Sequence, residues 1–175
     1  MSFEQIGEEE IWKGQIGTVK VKQFRHDDGE AVQREVIEHP GAAVMLPFDG
    51  ERIWLVRQPR EAVGAQGLLE LPAGKLNGED PLLTAKRELR EEIGRSAAEW
   101  KFLTSFYASP GFTDEEIHAY LATDLEDDPL EAEENERIEI VTEPLERLDD
   151  VIRDCLDSKS LVTLLWFRAF ELPHL

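Results

Sequence analysis

Two segments near the start of the chain alternate between hydrophobic and polar residues. They lie at 16–24 and 31–39, and alternation of this kind is typical of β-strands that are buried on one side. The dipeptide Asp28-Gly29 between them favours a tight turn. The sequence therefore predicts an N-terminal β-hairpin.

Two continuous apolar runs follow, at 42–48 and 52–58, and each predicts a further strand. Asp49-Gly50 lies between the two runs and predicts a second hairpin. Shorter apolar or alternating segments predict strands at 68–71, 101–108, 116–124 and 137–143. Strands are therefore predicted on both sides of one central helix.

The central helix is predicted between Asp80 and Gly94. Asp80 is a favourable N-cap, Pro81 suits the first helical position, and Gly94 suits the residue after a helix. Two further helical segments are predicted near the end of the chain, at 149–156 and 159–172. Strands in this order, with a central helix and terminal helices, predict an α/β or α+β sandwich.

Composition argues against several functional classes. The 175 residues include 38 acidic and 19 basic side chains, so the net charge is −19, and 41% of the residues are hydrophobic. Such a chain can form a core, and its acidity argues against nucleic acid or an anionic membrane as a partner. Its single cysteine, Cys155, excludes an internal disulfide. We find no apolar run of membrane-spanning length and no signal sequence, so we expect a cytoplasmic location.

Acidic residues are concentrated in the second half of the chain. Residues 124–136 include eight Asp or Glu and no Lys or Arg. A solvated loop is one interpretation of such a run, and a metal-binding or catalytic loop is the other. The choice between them depends on the rest of the chain.

Three glutamates of the central helix, Glu88, Glu91 and Glu92, lie on one face. Neighbouring carboxylates repel one another, so this arrangement costs helix stability. A divalent cation would compensate the repulsion, and Mg²⁺ or Mn²⁺ suits hard oxygen ligands. The alternative is a solvated helix face on which Arg87 and Arg90 balance the charge.

The turn before the helix supports the metal interpretation. A predicted strand ends at Pro72-Ala73-Gly74, where glycine permits a close approach of the backbone. A carbonyl group at this turn would be another oxygen ligand. Glu79 precedes the helix and can reach Arg87, and such an ion pair would orient the neighbouring carboxylates.

These residues resemble the signature of the Nudix hydrolases. The matching positions are Gly74, Glu79, Arg87, Glu88, Leu89, Glu91, Glu92 and Gly94. The sequence departs from the family pattern twice, because the loop after Gly74 is one residue shorter and Arg95 stands where an apolar residue is usual. The resemblance implies the Nudix α/β/α sandwich, an α/β fold with a mixed sheet, preceded here by the N-terminal β-hairpin.

The resemblance also implies a role for each residue of the signature. Glu88 and Glu92 would bind a metal ion together with the Ala73 carbonyl, and Glu91 would act in catalysis by binding a further ion. The positions that shape the motif would be Gly74, Glu79, Arg87 and Gly94. Mg²⁺ is the expected cofactor, with Mn²⁺ as an alternative. The ion would neutralise a pyrophosphate, polarise its phosphoryl group and lower the pKa of the attacking water.

Two further segments resemble the ADP-ribose pyrophosphatase subfamily. Pro110, followed by Gly111, lies 16 residues after Gly94, where the subfamily has a proline that marks the substrate site. A rigid turn is the other interpretation of this dipeptide. Arg34 and Arg60 lie in segments similar to those that hold the nucleotide, with Arg34 near the adenine. A surface salt bridge is the alternative for each arginine.

The acidic segment would then supply the general base. In the subfamily, a glutamate of the equivalent loop deprotonates the attacking water, and Glu134 and Glu136 are the candidates here. The implied reaction is divalent-metal-dependent hydrolysis of ADP-ribose to AMP and ribose 5-phosphate. The alternatives are another nucleoside diphosphate sugar, a dinucleotide or FAD as substrate, and a non-catalytic module that senses a nucleotide.

The resemblance further implies two regions and a homodimer. Residues 1–39 would form a β-strand region for dimerisation, and residues 40–175 would form the Nudix hydrolase domain. Arg34 would then serve the site of the partner chain. The expected partners are therefore a second copy of the chain and a small nucleotide sugar, without nucleic acid or membrane.

Overall fold

The structure is a computed structural model, and it describes residues 1–131 and 137–174. The chain divides into two compact units. The first unit comprises Met1–Gly41 and Tyr107–Glu116, and the second comprises Ala42–Phe106 and Ile117–Leu175.

The first unit contains a three-stranded antiparallel sheet in the order β1–β2–β3. Its strands are β1 (Phe3–Lys13), β2 (Thr18–His26) and β3 (Ala31–Glu38). Strands β2 and β3 form the predicted hairpin, and Gly29 in its turn has a φ of 88°, a value that favours glycine. The sequence pattern does not predict β1, because nearly all of its side chains are exposed and they do not alternate.

The second unit contains two sheets. The order in the four-stranded sheet is β7 (Ala73–Lys75), β4 (Ala42–Pro47), β9 (Glu116–Asp127) and β8 (Arg95–Tyr107). The order in the three-stranded sheet is β10 (Glu139–Pro144), β5 (Arg52–Arg60) and β6 (Ala65–Glu70). Strand β4 pairs in parallel with β9 and antiparallel with β7. The four-stranded sheet is therefore mixed, as predicted.

The prediction of a hairpin at Asp49-Gly50 is wrong. The chain does turn there, because the Asp49 N–H donates to the Arg52 carbonyl and Gly50 has a φ of 98°. However, the antiparallel pairing is a single bridge between Phe48 and Ile53, after which β4 and β5 belong to different sheets. Two apolar runs joined by a turn predict strands, but they do not specify the neighbour with which each strand pairs.

Among the described residues, the α-helices are α1 (Pro81–Ile93), α2 (Leu148–Asp154) and α3 (Ser158–Trp166). The predicted ends of α1 are confirmed. The Asp80 side chain accepts hydrogen bonds from the backbone N–H groups of Leu82 and Leu83, and Gly94 ends the helix with a φ of 69°. After α3 the chain continues in further helical turns as far as His174. Over residues 1–131 and 137–174, no helix is long and apolar enough to cross a lipid bilayer.

Strand β4 lies at the centre of the second unit and is buried along its whole length. Because side chains alternate along a strand, both of its faces must be covered. On one face, Ala43 and Met45 belong to the same hydrophobic cluster as Leu89 of α1. Val44 and Leu46 point to the other face, and α3 also packs against β4. This arrangement is the predicted α/β/α sandwich.

Candidate functional site

The guanidinium of Arg87 lies among glutamates of α1 and of the loop that precedes it. Arg87 Nη2 is 2.9 Å from Glu88 Oε1, and Arg87 Nη1 is 2.5 Å from Glu91 Oε2. The predicted ion pair with Glu79 is present, with 3.6 Å between Arg87 Nε and Glu79 Oε2. Burial lowers the pKa of Arg87, but the carboxylates of Glu88 and Glu91 outweigh burial and raise this pKa above its ordinary value. One guanidinium therefore holds three carboxylates together.

The turn before α1 approaches this face so closely that a side chain at position 74 would displace Glu88. A Cβ atom added to Gly74 would lie 1.9 Å from Glu88 Oε1, far inside van der Waals contact. The backbone N–H of the neighbouring Ala73 donates to Glu92 Oε2 over 3.0 Å. The turn that is predicted to supply a carbonyl ligand therefore lies against two of the predicted metal-binding glutamates.

The oxygen atoms of this face suit a hard divalent cation. Glu88 and Glu92 are only 9% and 6% exposed, and Gly74 places no side chain between the turn and Glu88. Carboxylate and carbonyl oxygens are the ligands that Mg²⁺ and Mn²⁺ prefer. In the described part of the chain, no three acidic, histidine or cysteine side chains form a ready-made metal cluster. A bound ion would therefore compete with Arg87 for Glu88 and Glu91.

Arg60, a predicted substrate-binding residue, is held by the buried side chain of Glu70. Arg60 Nε and Nη2 donate to Glu70 Oε1 and Oε2 over 2.6 and 2.7 Å. Lys159 Nζ also donates to Glu70 Oε2, over 2.6 Å. Burial alone would raise the pKa of Glu70, but Arg60 and Lys159 outweigh burial and hold this pKa below its ordinary value. Sequence reasoning missed Glu70 and Lys159, although an acid inside the apolar segment 68–71 was a signal.

Arg34, Pro110 and Gly111 line one pocket, which lies within the first unit. The pocket has a volume of about 520 Å³, and Lys22 and Phe24 also line it. Cationic and aromatic side chains suit the phosphate and the base of a nucleotide. The structure thus brings together three predicted residues from two separate segments. Lys22 and Phe24 were missed, because only the register of β2 against β3 places Lys22 opposite Arg34.

The loop that carries Pro110 is fastened to β3. The Ile37 N–H donates to the Phe112 carbonyl over 2.8 Å, and Thr113 Oγ1 donates to the Ile37 carbonyl over 2.8 Å. Pro110 therefore lies in an anchored turn and lines the pocket at the same time, so its two interpretations are compatible.

Arg95, which replaces the apolar residue usual in the family signature, packs on an aromatic ring. Its guanidinium carbon lies 4.7 Å from the centroid of the Trp54 ring, and its Nη1 atom is 2.6 Å from Asp127 Oδ1. A guanidinium is planar and stacks well on aromatic faces. This departure from the family pattern therefore has a local structural explanation.

The predicted general bases, Glu134 and Glu136, lie outside the described residues. The chain that precedes them is attached to the C-terminal half of α1. Arg90 Nε is 3.0 Å from Asp128 Oδ2, and the Leu130 N–H donates to the Arg90 carbonyl over 3.1 Å. The role of the two glutamates stays a prediction.

Several known proteins are similar to this chain over most of its length. The family model of the NUDIX domain matches residues 37–165. An ADP-ribose pyrophosphatase from Bacillus subtilis (strain 168) is 36% identical over 172 residues, which cover 95% of this chain and 92% of that protein. A methanol dehydrogenase activator from Bacillus methanolicus is 33% identical over 172 residues, with 95% of this chain and 92% of that protein covered.

The fold is also shared with a solved structure. A crystal structure of an ADP compounds hydrolase is 21% identical and matches with a TM-score of 0.84, over 96% of this chain and 93% of that one. The glutamate signature on α1, the matched NUDIX domain and the full-length relatives lead to the same conclusion. This chain belongs to the Nudix hydrolase family.

Proposed function

We propose that this protein hydrolyses the pyrophosphate bond of ADP-ribose to give AMP and ribose 5-phosphate, with Mg²⁺ as the activating ion. The observation that carries the proposal is the glutamate face of α1, against which Gly74 lies without a side chain. Nudix hydrolases generally need a divalent metal, and the relative from Bacillus subtilis is named for ADP-ribose. Both facts support this substrate and this cofactor.

The glutamate face would hold the metal. Glu88, Glu92 and the Ala73 carbonyl would bind one ion, and Glu91 would bind a further ion; Mn²⁺ would suit the same oxygen atoms. A bound divalent ion neutralises phosphate charge, polarises the phosphoryl group and lowers the pKa of a coordinated water. The Ala73 N–H orients Glu92 through its hydrogen bond, and Arg87 balances the charge of the neighbouring glutamates.

The pocket of the first unit would take the nucleoside part of the substrate. Phe24 offers an aromatic face to a base, while Lys22 and Arg34 offer positive charge. Pro110 forms part of the wall of this pocket. In the second unit, Arg60 would bind the pyrophosphate.

A dinucleotide is the second candidate substrate. The relative from Bacillus methanolicus is named for activating a dehydrogenase, and many dehydrogenases use dinucleotides that contain a pyrophosphate bond. Other nucleoside diphosphate sugars, FAD and non-catalytic nucleotide sensing are the remaining alternatives. Turnover of a panel of these compounds separates all of them.

We also infer a homodimer, with residues 1–39 as its dimerisation region and residues 40–175 as the hydrolase domain. Trp12 and Ile16 are 60% and 69% exposed, and both line an apolar groove of about 500 Å³ in the first unit. Exposed apolar surface of this kind is stabilised by a protein partner. A second copy supplies the same surface in a symmetric interface. Arg34 would then complete the partner's site, and the cytoplasmic location stays a prediction.

With Mg²⁺, we expect the wild-type protein to cleave ADP-ribose with a kcat/KM at least about 10-fold higher than for other nucleotide sugars, NAD or FAD. EDTA should abolish turnover, because the glutamate face then lacks its ion. The measurement is AMP release in steady state. A higher kcat/KM for NAD or FAD than for ADP-ribose would identify that compound as the substrate instead. Binding without any turnover would support the sensing module.

Gly74→Ala should lower kcat/KM by about 100-fold, because the new Cβ displaces the Glu88 carboxylate from the turn. Gly78→Ala is the matched control from the same loop. Gly78 has a φ of 84° and open space around it, so alanine should cost about 1 kcal/mol of stability and leave kcat/KM unchanged. Equal kcat/KM in the two variants would contradict the proposal that activity depends on the close approach of Gly74 to Glu88.

One of the variants Glu134→Gln and Glu136→Gln should lower kcat by about 100-fold or more with little change in KM, because the attacking water loses its base. Glu131→Gln is the control, since Glu131 is an exposed acid of the same segment. Wild-type kcat in both test variants would contradict the assignment of the general base to Glu134 or Glu136.

Trp12→Asp should dissociate the homodimer into monomers, because it introduces a charge into the apolar groove of the first unit. The control is Val63→Asp, which changes a side chain of the second unit that is 73% exposed. Sedimentation velocity measures the mass of each protein. A wild-type mass of 20.0 kDa, that of one chain, would overturn the homodimer.

A further inference from the structure

A group of four charged side chains joins the ends of β5 and β6 to the start of α3, and we call it the Glu70 cluster. Its members are Arg60, Glu70, Asp157 and Lys159. Glu70 is 1% exposed and accepts three hydrogen bonds, two from Arg60 and one from Lys159. Lys159 Nζ is also 2.9 Å from Asp157 Oδ1. The Glu70 carboxylate is therefore buried and fully paired between two cations.

The pairing between Arg60 and Glu70 fixes a guanidinium that is still accessible. Two parallel hydrogen bonds of 2.6 and 2.7 Å set the plane of the Arg60 guanidinium, whereas a single bond would let it rotate. The Arg60 side chain nevertheless remains 41% exposed. A guanidinium has five N–H donors, and Glu70 accepts from only two of its nitrogen atoms. Arg60 therefore keeps donors for a ligand.

Arg60 also lies within the electrostatic influence of the metal-binding face. Its pKa is raised above its ordinary value, first by the hydrogen bonds to Glu70 and, more weakly, by the charges of Asp157 and Glu92. Glu92 accepts from the backbone N–H of Ala73, three residues after Glu70. The cation and the glutamate face thus belong to one region of the second unit.

Helix α3 holds Glu70 in place from the other side. The Leu71 N–H, next to Glu70 in the chain, donates to Ser160 Oγ over 2.7 Å. Ser160 in turn donates to Asp157, through both its backbone N–H and its hydroxyl group. Lys159 lies on the same first turn of the helix and reaches the Glu70 carboxylate. Glu70 is therefore fixed through its backbone as well as its side chain.

Stability alone does not account for an ionised glutamate at this place. The desolvation of a buried ion pair offsets much of its Coulombic attraction, and apolar replacements of similar volume are often neutral or stabilising. A bidentate pair does supply orientation, because both partners must adopt one geometry. The arrangement is thus better explained by the direction that it gives to Arg60.

We propose that Glu70 is a positioning residue, which holds the Arg60 guanidinium so that its remaining N–H groups bind the pyrophosphate of the substrate. Lys159 also donates a hydrogen bond to Glu70 Oε2, and this contact holds the carboxylate in the orientation in which it pairs with Arg60. This role rests on the proposed hydrolysis of ADP-ribose, because Arg60 acts on the phosphates of that substrate.

The test compares Glu70→Gln, Arg60→Ala and the double variant in steady-state assays on ADP-ribose. We expect each single variant to raise KM by about 10- to 100-fold, and the double variant to be no worse than Arg60→Ala. The Mg²⁺ concentration for half-maximal activity should stay at the wild-type value, since the glutamate face is intact. If the ion pair were only structural, the effect of Glu70→Gln on KM would not depend on the presence of Arg60.

Glu171→Gln is the matched control, because Glu171 is also a buried glutamate that pairs with a lysine. It is 9% exposed, and its Oε2 atom is 2.5 Å from Lys101 Nζ. This variant should keep the wild-type KM and kcat even if it unfolds at a lower temperature. If Glu70→Gln does not fold, Glu70→Asp keeps the charge but shortens the side chain, and its KM should rise by a similar factor.

Three outcomes would overturn this role for Glu70. They are an unchanged KM in the Glu70 variants, a KM in the double variant that is raised by the product of the two single effects, and an altered Mg²⁺ requirement in Glu70→Gln. A wild-type protein that does not cleave ADP-ribose would instead overturn the proposed function itself. The wild-type assay therefore separates the two failures.

Discussion

The concentration of carboxylates on one face of α1 is the constraint on which the rest of the site depends. Glu88 and Glu92 are largely buried, and a buried charge is costly unless it is compensated. Arg87 pairs with Glu88 and Glu91, and the Ala73 N–H donates to Glu92. The oxygen atoms that need compensation are those that a divalent ion would use. Folding and metal binding therefore depend on the same charges.

The fold holds this face in one orientation. On its opposite side, α1 buries Leu89 and Ile93 in the core cluster that includes residues of β4, so rotation of the helix would expose apolar surface. Its two ends are set by Asp80 and Gly94. The turn at Gly74 then approaches a helix that cannot move away. A close backbone contact with a carboxylate is tolerated there only because glycine has no side chain.

Local features are predictable from this sequence, and long-range pairing is not. The ends of α1 follow from Asp80 and Gly94, because a cap depends on one residue and its immediate neighbours. The hairpin at Asp49-Gly50 fails, because β4 pairs with β7 and β9 whereas β5 pairs with β6 and β10, and two neighbouring apolar runs do not specify these partners. The contact between Glu70 and Lys159 joins residues 89 positions apart, which no spacing in the sequence indicates. The roles expected for the substrate-binding arginines come from family resemblance alone.

The metal-binding role of the glutamate face is tested by the binding of Mn²⁺ to the wild-type protein and to Glu92→Gln, measured by electron paramagnetic resonance of the free ion. Glu99→Gln, which changes an exposed acid on β8, controls for the loss of one charge. We expect Glu92→Gln to bind Mn²⁺ at least about 10-fold more weakly than the wild type and the control. Equal affinity in all three proteins would contradict the assignment of the metal site to the glutamate face of α1.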